Sequence, residues 1–335
     1  MIKLSVFFRP CPKSLLQITG QQKFALLANG TMALSAALCA LSRASDKIYL
    51  PALACWTLTR SAIDANMRIE YIDVSSDLRS KHSEAIKNKP IVEVRPWWGS
   101  LDNNLITSQT IIDLSINCSV TSQADRAFSC IISMGPSKPA YYHRHGGIIA
   151  TSSDDVISEV ENAINMYANW GKWMRLGPRL TPLPHVSDDV ISAHFSAVLA
   201  RQPELQEYAE YVSARLAAEQ VSFTPLYEAE LLTGNSYFLP LLVSEELQMP
   251  IVEIVKAAQA HKIPLGFQPV APPYLQPAVK GIDAIEARNA CPEAERISSK
   301  LIFTSSELLF RRPSLLNSLI KFSNSLVHNG NTYGR

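Results

Sequence analysis

The side chain with the most chemical reach in this chain is a lysine. It sits in the stretch F-S-C-I-I-S-M-G-P-S-K-P, residues 128–139, where an apolar run ends at Ser133, turns through Gly135 and Pro136 and presents Lys138. A buried strand running into a tight turn would put this one amine at the rim of a sheet. There a lysine can leave bulk water, lose part of its charge and act as a nucleophile. The ordinary alternative is a solvated surface lysine. A carboxylate, Asp113, closes a second apolar run, Q-T-I-I-D-L-S, residues 109–115. A carboxylate at the end of a buried strand is costly unless something positive meets it. A protonated ring nitrogen on a cofactor would be such a partner, and a helix cap or a structural ion pair is the plainer reading.

Two further stretches carry candidate binding chemistry. In A-N-G-T-M-A-L-S-A-A-L, residues 28–38, a strand ends at Asn29, Gly30 makes the turn and a small-residue helix starts at Thr31. A helix start offers free backbone N–H groups and the positive end of the dipole, which together hold a phosphate, and Thr31 adds a hydroxyl. An ordinary Thr cap is the alternative. P-A-L-A-C-W-T, residues 51–57, places Cys55 and Trp56 at the start of another helix. An aromatic there can stack on a flat ring, or simply pack in the core. His143 and His145 flank Arg144 in Y-Y-H-R-H-G-G; two histidines are a weak metal signal, and an exposed loop or dimer contact accounts for them.

The elements that would position these residues read as an α/β layer. Strands are expected at Phe24–Asn29, Lys47–Leu50, Ile69–Val74, Ile91–Arg95, Thr110–Leu114, Phe128–Ser133 and Gly147–Ala150, with helices such as Thr31–Ser42 and Thr57–Ala65 between them. This alternation argues for a mostly parallel sheet, whose ligands sit at the carboxyl ends of its strands. After the proline-rich loop 177–185 comes a long helical pattern, Ser187–Glu219, expected to break near Pro203. From about Val221 a smaller α+β unit is expected: a strand at Tyr237–Val243, a helix at Pro250–His261, a Pro- and aromatic-rich loop at Phe267–Pro277 and a helix from Pro292. The domain reading is 1–205 and 206–335.

Composition narrows the classes. The chain has 335 residues, 47% hydrophobic and 18% charged, with a formal net charge of +1. That suits a soluble protein with a substantial core, and the scattered Lys and Arg build no nucleic-acid footprint. The six cysteines form no C-x-x-C pair and no zinc spacing, so reduced thiols in a cytoplasmic protein are expected, with no metal. The N-terminal M-I-K-L-S-V-F-F-R-P is too short an apolar run for a signal peptide, and no stretch reaches the ~18 apolar residues of a membrane helix.

Taken in order, G-T-x-A-L, P-x-x-x-x-W, I-D-V, I-I-D, S-M-G-P-S-K-P and H-G-G-I-I-A-T resemble the DegT/DnrJ/EryC1/StrS family of pyridoxal-phosphate aminotransferases, which aminate nucleotide-linked keto-sugars. H-V-S-D-D-V-I-S-A and C-P-E-A-E-R-I extend the resemblance, which spans about residues 20–310. It implies a fold-type I domain with a mostly parallel seven-stranded sheet, a smaller C-terminal α+β domain, and a homodimer sharing its active sites. It also implies an imine between Lys138 and the aldehyde of pyridoxal 5'-phosphate, and a pairing of Asp113 with the pyridine nitrogen. Thr31, the backbone of Met32 and Ser133 would bind the phosphate. Cys55 or Trp56 would stack on the ring, and Gly30 and Ser115 complete the cofactor-binding set. The small-molecule partners would be an amino donor, by analogy glutamate, and a keto acceptor. Tyr237, Arg179, His185 and Phe267–Tyr274 are candidates for lining the substrate pocket.

The chain also departs from the family pattern. Ile112 precedes Asp113 where the family has Glu, and Ile116 stands where Gln or His contacts the cofactor's phenolic oxygen, with Asn117 a possible substitute. V-R-P-W-W-G, residues 94–99, replaces the usual V-H-x-Y-G, Leu183–Ser187 lacks the Asn-containing turn that reaches the partner's phosphate, and the helix before the first strand looks missing or reduced. The cofactor chemistry is retained by this reading, and the sugar-nucleotide substrate is the part in question. The alternatives are a lyase, a sugar dehydratase or an aminotransferase of a small ketone on the same cofactor, or a degenerate member that binds without turnover.

Overall fold

Each short apolar run is bounded by turn residues and too brief for a helix, so it resolves into a strand. The computed structural model describes residues 8–76, 78, 80–81, 86, 88–94, 106–116, 118, 123–135, 138–142, 146–169, 186–219, 221–226, 237–247, 249–266, 272, 274 and 284–330. Its main sheet contains β1 (Arg9–Pro10), β2 (Lys23–Leu27), β3 (Lys47–Pro51), β4 (Arg68–Ile72), β5 (Ile91–Val94), β6 (Thr110–Asp113), β7 (Ser129–Ser133) and β8 (Gly147–Thr151). The order is β1-β2-β8-β7-β6-β5-β3-β4, with β3 through β7 parallel and β8 antiparallel between β7 and β2. The seven expected strands are all present. The eighth, β1, corrects the expected count: Arg9 and Pro10 pair with Phe24 and Lys23. Two residues, one a proline, carry too little pattern to read as a strand.

Beside it, the helix expected to be missing or reduced is present as a short one. A helix does precede β2: α1 (Lys13–Thr19) buries Leu15 and Ile18. Seven residues give barely two turns, so its periodicity is weak in the sequence.

The sheet is covered on both faces. Helices α2 (Gly30–Leu41), α3 (Trp56–Asp64) and α4 (Asp154–Asn169) share a core with Ile111, Ile131 and Ile149. On the other face α1 and α5 (Asp188–Ala218) pack with Ile112, Ile132 and Ile148. Successive residues of β6, β7 and β8 thus feed opposite cores, and the strands read as continuous apolar runs rather than alternating ones. The registers put Asp113 beside Ile131, and Ser133 beside Gly147, all at one edge of the sheet.

Helix α5 runs unbroken through Pro203, against the expected break. A proline removes one backbone bond and crowds the preceding turn, at a cost of about 3 kcal/mol. Burial on both sides offsets it: Ile191 and Phe195 sit in the core with α1, and Leu205, Ala209, Val212 and Leu216 are buried further along. A fully buried Phe or Leu contributes about 1.5–3 kcal/mol.

Beyond α5 lies a four-stranded antiparallel sheet, β11-β12-β10-β9, built from β9 (Phe223–Pro225), β10 (Phe238–Val243), β11 (Leu265–Gly266) and β12 (Leu301–Ser305). Helices α6 (Ile251–Ala260), α7 (Ala284–Ala290), α8 (Pro292–Ser298), α9 (Ser306–Arg311) and α10 (Ser314–Gly330) accompany it. The expected strand at Tyr237–Val243 and helix at Pro250–His261 are there, each a residue or so shorter.

The two sheets are physically joined. Cys291, Ala294, Ile297, Leu301 and Phe303 belong to the core under α2 and α3. Asp73, just past β4, accepts from the N–H groups of Ala294 (2.8 Å) and Glu293 (3.3 Å) and so caps α8, while Lys81 bridges it at 3.2 Å. Cys291, at the cap position itself, offers no side-chain cap. Asp73→Ala should therefore lower stability by about 1–2 kcal/mol. The check is a urea titration in which the midpoint falls with the slope unchanged, and Asp73→Asn should retain part of the loss.

Candidate active site

At the edge where β2, β6 and β7 end, local chemistry fixes the start of α2. The Asn29 side chain accepts the Met32 N–H at 2.8 Å, an N-cap that opens the helix within three residues of the strand. The helix start is pressed hard against the sheet. A Cβ on Gly147 would lie 2.2 Å from the Asn29 carbonyl oxygen, and one on Gly30 would lie 2.6 Å from Ser133 Cβ. Only glycine allows either approach. The positive end of α2 is thereby set directly over the end of β7.

Asp113 ends β6 on the face that carries this helix, and it is 7% exposed. Burial pushes its carboxyl above the ordinary range, opposed by bonds from the Ser115 hydroxyl and N–H and by the charge of Lys138. The Ser115 N–H lies 2.9 Å from Asp113 Oδ1. Lys138, half-buried, sits in the turn beyond β7, where its carbonyl accepts the Tyr141 N–H at 3.0 Å. Lys138 and Asp113 thus lie close enough for their charges to interact, although 25 positions separate them in the numbering of the chain.

The remaining candidates lie at the end of β7 and at the starts of α2 and α3. Ser133 Oγ accepts the Gly135 N–H at 3.4 Å and touches the Gly30 position. Thr31 and Met32 are half-buried in the first turn of α2, and the Met32 side chain leans on the neighbouring core. The Met32 N–H, expected to meet a phosphate, is taken by Asn29. An anion seated here therefore uses the other donors of the turn or displaces that side chain. Cys55 is the cap residue of α3 and packs on the same core, with Trp56 half-buried as the first helical residue. Ile116 is buried in that core as well.

Two neighbours were not singled out in the sequence. One is Asn29, whose cap role the strand–Asn–Gly pattern could have signalled. The other is Cys118, fully buried, whose thiol is pushed up to about 12 by burial and by the charge of Asp113, while Lys138 pulls the other way. It lies within the field of both groups, and nothing local in S-I-N-C-S announces that.

Two substrate-pocket candidates make other contacts. Tyr237 lies beside Glu307, which also bridges Arg201 (2.7 Å) and Arg311 (2.6 Å); burial and this carboxylate push its phenol up. Tyr274 packs edge-on against Tyr71 and is buried. Asn117, His143, Arg144, His145, Arg179, His185, most of Phe267–Tyr274 and residues 95–99 lie outside the described residues. Among the described residues no cluster of His, Cys, Asp and Glu could hold a metal ion, and no helix is long and apolar enough to cross a membrane.

No family model matches the chain, and no curated protein matches it. Solved structures do. A 3-amino-5-hydroxybenzoic acid synthase is 15% identical, with 95% of this chain and 90% of that one covered at a TM-score of 0.71. A DegT DnrJ EryC1 StrS aminotransferase from Brucella abortus is 16% identical, covering 94% and 88% at 0.64. GDP-4-keto-6-deoxymannose-3-dehydratase, in a mutant form with bound GDP-perosamine, is 13% identical, covering 93% and 90% at 0.60. At such identities the likeness is one of fold. The chain has the α/β architecture of fold-type I pyridoxal-phosphate-dependent transferases, with their mostly parallel sheet and helical faces.

The buried carboxylate makes one prediction independent of any ligand. A carboxyl whose folded-state value lies above its unfolded value favours the fold at low pH, and that contribution is lost as pH rises through the folded value. Asp113→Asn removes the buried charge and keeps the acceptor for Ser115. The ligand-free variant should be more stable than the parent at pH 8, and the gap should narrow as pH falls toward the ordinary aspartate value of about 3.9. Denaturation midpoints between pH 8 and pH 5 measure this; a gap that widens on acidification contradicts the assignment.

Proposed function

We propose that this chain is a pyridoxal-phosphate-dependent enzyme of the DegT/DnrJ/EryC1/StrS type, moving an amino group from an amino-acid donor to a keto group on a sugar-like acceptor. The observation that carries the reading is the buried carboxylate of Asp113 within the field of the half-buried residue Lys138, at the sheet end where α2 begins. The residues present fit the group. A carboxylate held in a desolvated pocket needs a positive partner, and a protonated pyridine nitrogen is one. Thr31, Ser133 and the first turn of α2 supply donors for a phosphate. Cys55 or Trp56, at the start of α3, would cover a ring face.

When bound, pyridoxal phosphate supplies an aldehyde carbon and an electron-withdrawing ring. The chain's own residues do the rest. Asp113 would favour positive charge at the ring nitrogen, because that charge would relieve the part of its desolvation that Ser115 and Lys138 leave uncompensated. Lys138 Nζ takes the proton from the donor's α-carbon as a general base and returns a proton as a general acid. The helix N-terminus and Ser133 orient the whole through the phosphate, which has no part in the bond changes.

The dehydratase among the fold neighbours supports a second reading: removal of a sugar hydroxyl on the same cofactor. A binding protein without turnover is the third. In either enzyme reading we take the protein to be a cytoplasmic homodimer with shared sites.

One experiment separates these readings. The purified protein, incubated with pyridoxal phosphate, should gain visible absorbance that Lys138→Ala lacks. Adding glutamate should bleach it and release 2-oxoglutarate in stoichiometric amount. Bleaching without an oxo acid rejects amino transfer. Absorbance that no amino acid alters leaves the binding role. A Lys138→Ala variant that turns over at a comparable rate ends the proposal.

A further inference from the structure

The residue that joins the two strand ends of the site is Ser115, itself buried. The backbone ladder between β6 and β7 reaches as far as Leu114, whose N–H donates to Ile131 O at 2.7 Å. A continuing parallel ladder would next offer a carbonyl to the Ser133 N–H. Here the Ser115 Oγ takes that role, accepting the Ser133 N–H at 3.0 Å. The Ser115 N–H turns back to the Asp113 carboxylate at 2.9 Å, and the Ser115 side chain helps hold that carboxyl down against the effect of burial. Ser133 in turn touches Gly30 at the start of α2. Asp113, Ser115, Ser133 and Gly30 therefore form one continuous line of contacts from the carboxylate to the helix start.

We infer that Ser115 is a positioning residue that locks the Asp113 carboxylate to the end of β7, so that carboxylate and helix N-terminus are held as one unit. A hydroxyl suits this place because it gives a proton to a carboxylate and accepts one from an N–H at once. On the cofactor reading proposed above, on which its functional meaning rests, the lock sets the distance between the ring-nitrogen end and the phosphate end of one rigid ligand. This differs from the direct cofactor contact expected for Ser115 from the sequence. Among the described residues, the groups that face the carboxylate are the Ser115 hydroxyl and N–H, the Lys138 amine from beyond β7 and the Cys118 thiol from beyond β6.

The test has two arms. In the first, ligand-free protein carrying ¹³C-carboxyl aspartate is titrated by NMR, with Asp113 assigned through Asp113→Asn. Ser115→Ala should move the Asp113 midpoint upward, and Ser115→Thr, which keeps the hydroxyl, should leave it at the parent position. Ser115→Cys, a much weaker hydrogen-bonding group of similar shape, replaces alanine in the comparison should the alanine variant not fold. A midpoint that alanine or cysteine leaves unmoved overturns the inference, because a purely structural serine would change stability and not this titration. In the second arm, pyridoxal phosphate affinity should fall about tenfold in Ser115→Ala and be restored in Ser115→Thr, as expected for a lost buried hydrogen bond. Equal affinity in parent and alanine variant also counts against it. Parent protein that takes up no pyridoxal phosphate removes the proposed function, while the NMR arm still decides the role of Ser115.

Discussion

A carboxylate held out of water is the constraint around which the site is built. Asp113 sits at the end of an apolar strand with both flanking strands parallel to its own. Two bonds from Ser115 and the charge of Lys138 ease its burial without cancelling it. A site that leaves a buried charge only partly compensated stores a preference for a cation in the pocket. This preference links the fold to a proposed chemistry: the same desolvation that weakens the ligand-free protein would strengthen its grip on a protonated ring nitrogen.

The second element is the close approach of a helix to a sheet edge. Gly30 and Gly147 have neighbours where a side chain would begin. The row of small residues in α2, including Ala33, Ala36, Ala37 and Ala40, lets the rest of the helix follow that approach into the core. The result is a positive helix end within the same compact edge as a negative carboxylate. A ligand with an anionic group at one end and a cationic ring at the other matches this polarity.

Long-range packing ties the elements of the fold together. Helix α5 links two cores despite Pro203, since the buried residues on either side outweigh one lost backbone bond. Asp73 caps α8, and Ala294, Ile297 and Phe303 bring the C-terminal segment into the core beneath α2 and α3. The second sheet is therefore anchored to the first by polar and apolar contacts together, each reinforcing the other.

The strands, the start of α2 and the candidate pair Lys138 and Asp113 were legible in the sequence, because apolar run length, turn residues and caps act over a few positions. So was the broad α/β class, because strands and helices alternate along the chain. The short β1 and α1 were not, since two and seven residues carry almost no period. The continuity of α5 escaped as well, because a local rule about proline is overridden by burial that only the packed molecule supplies. Asn29 capping Met32 is a contact over three positions that the Asn–Gly pattern could have signalled, whereas Cys118 lying in the field of Asp113 and Lys138 and Ser115 bonding Ser133 depend on where chain segments meet. Sheet register decides those meetings, and register is set by the sum of many distant contacts rather than by the identity of any one residue.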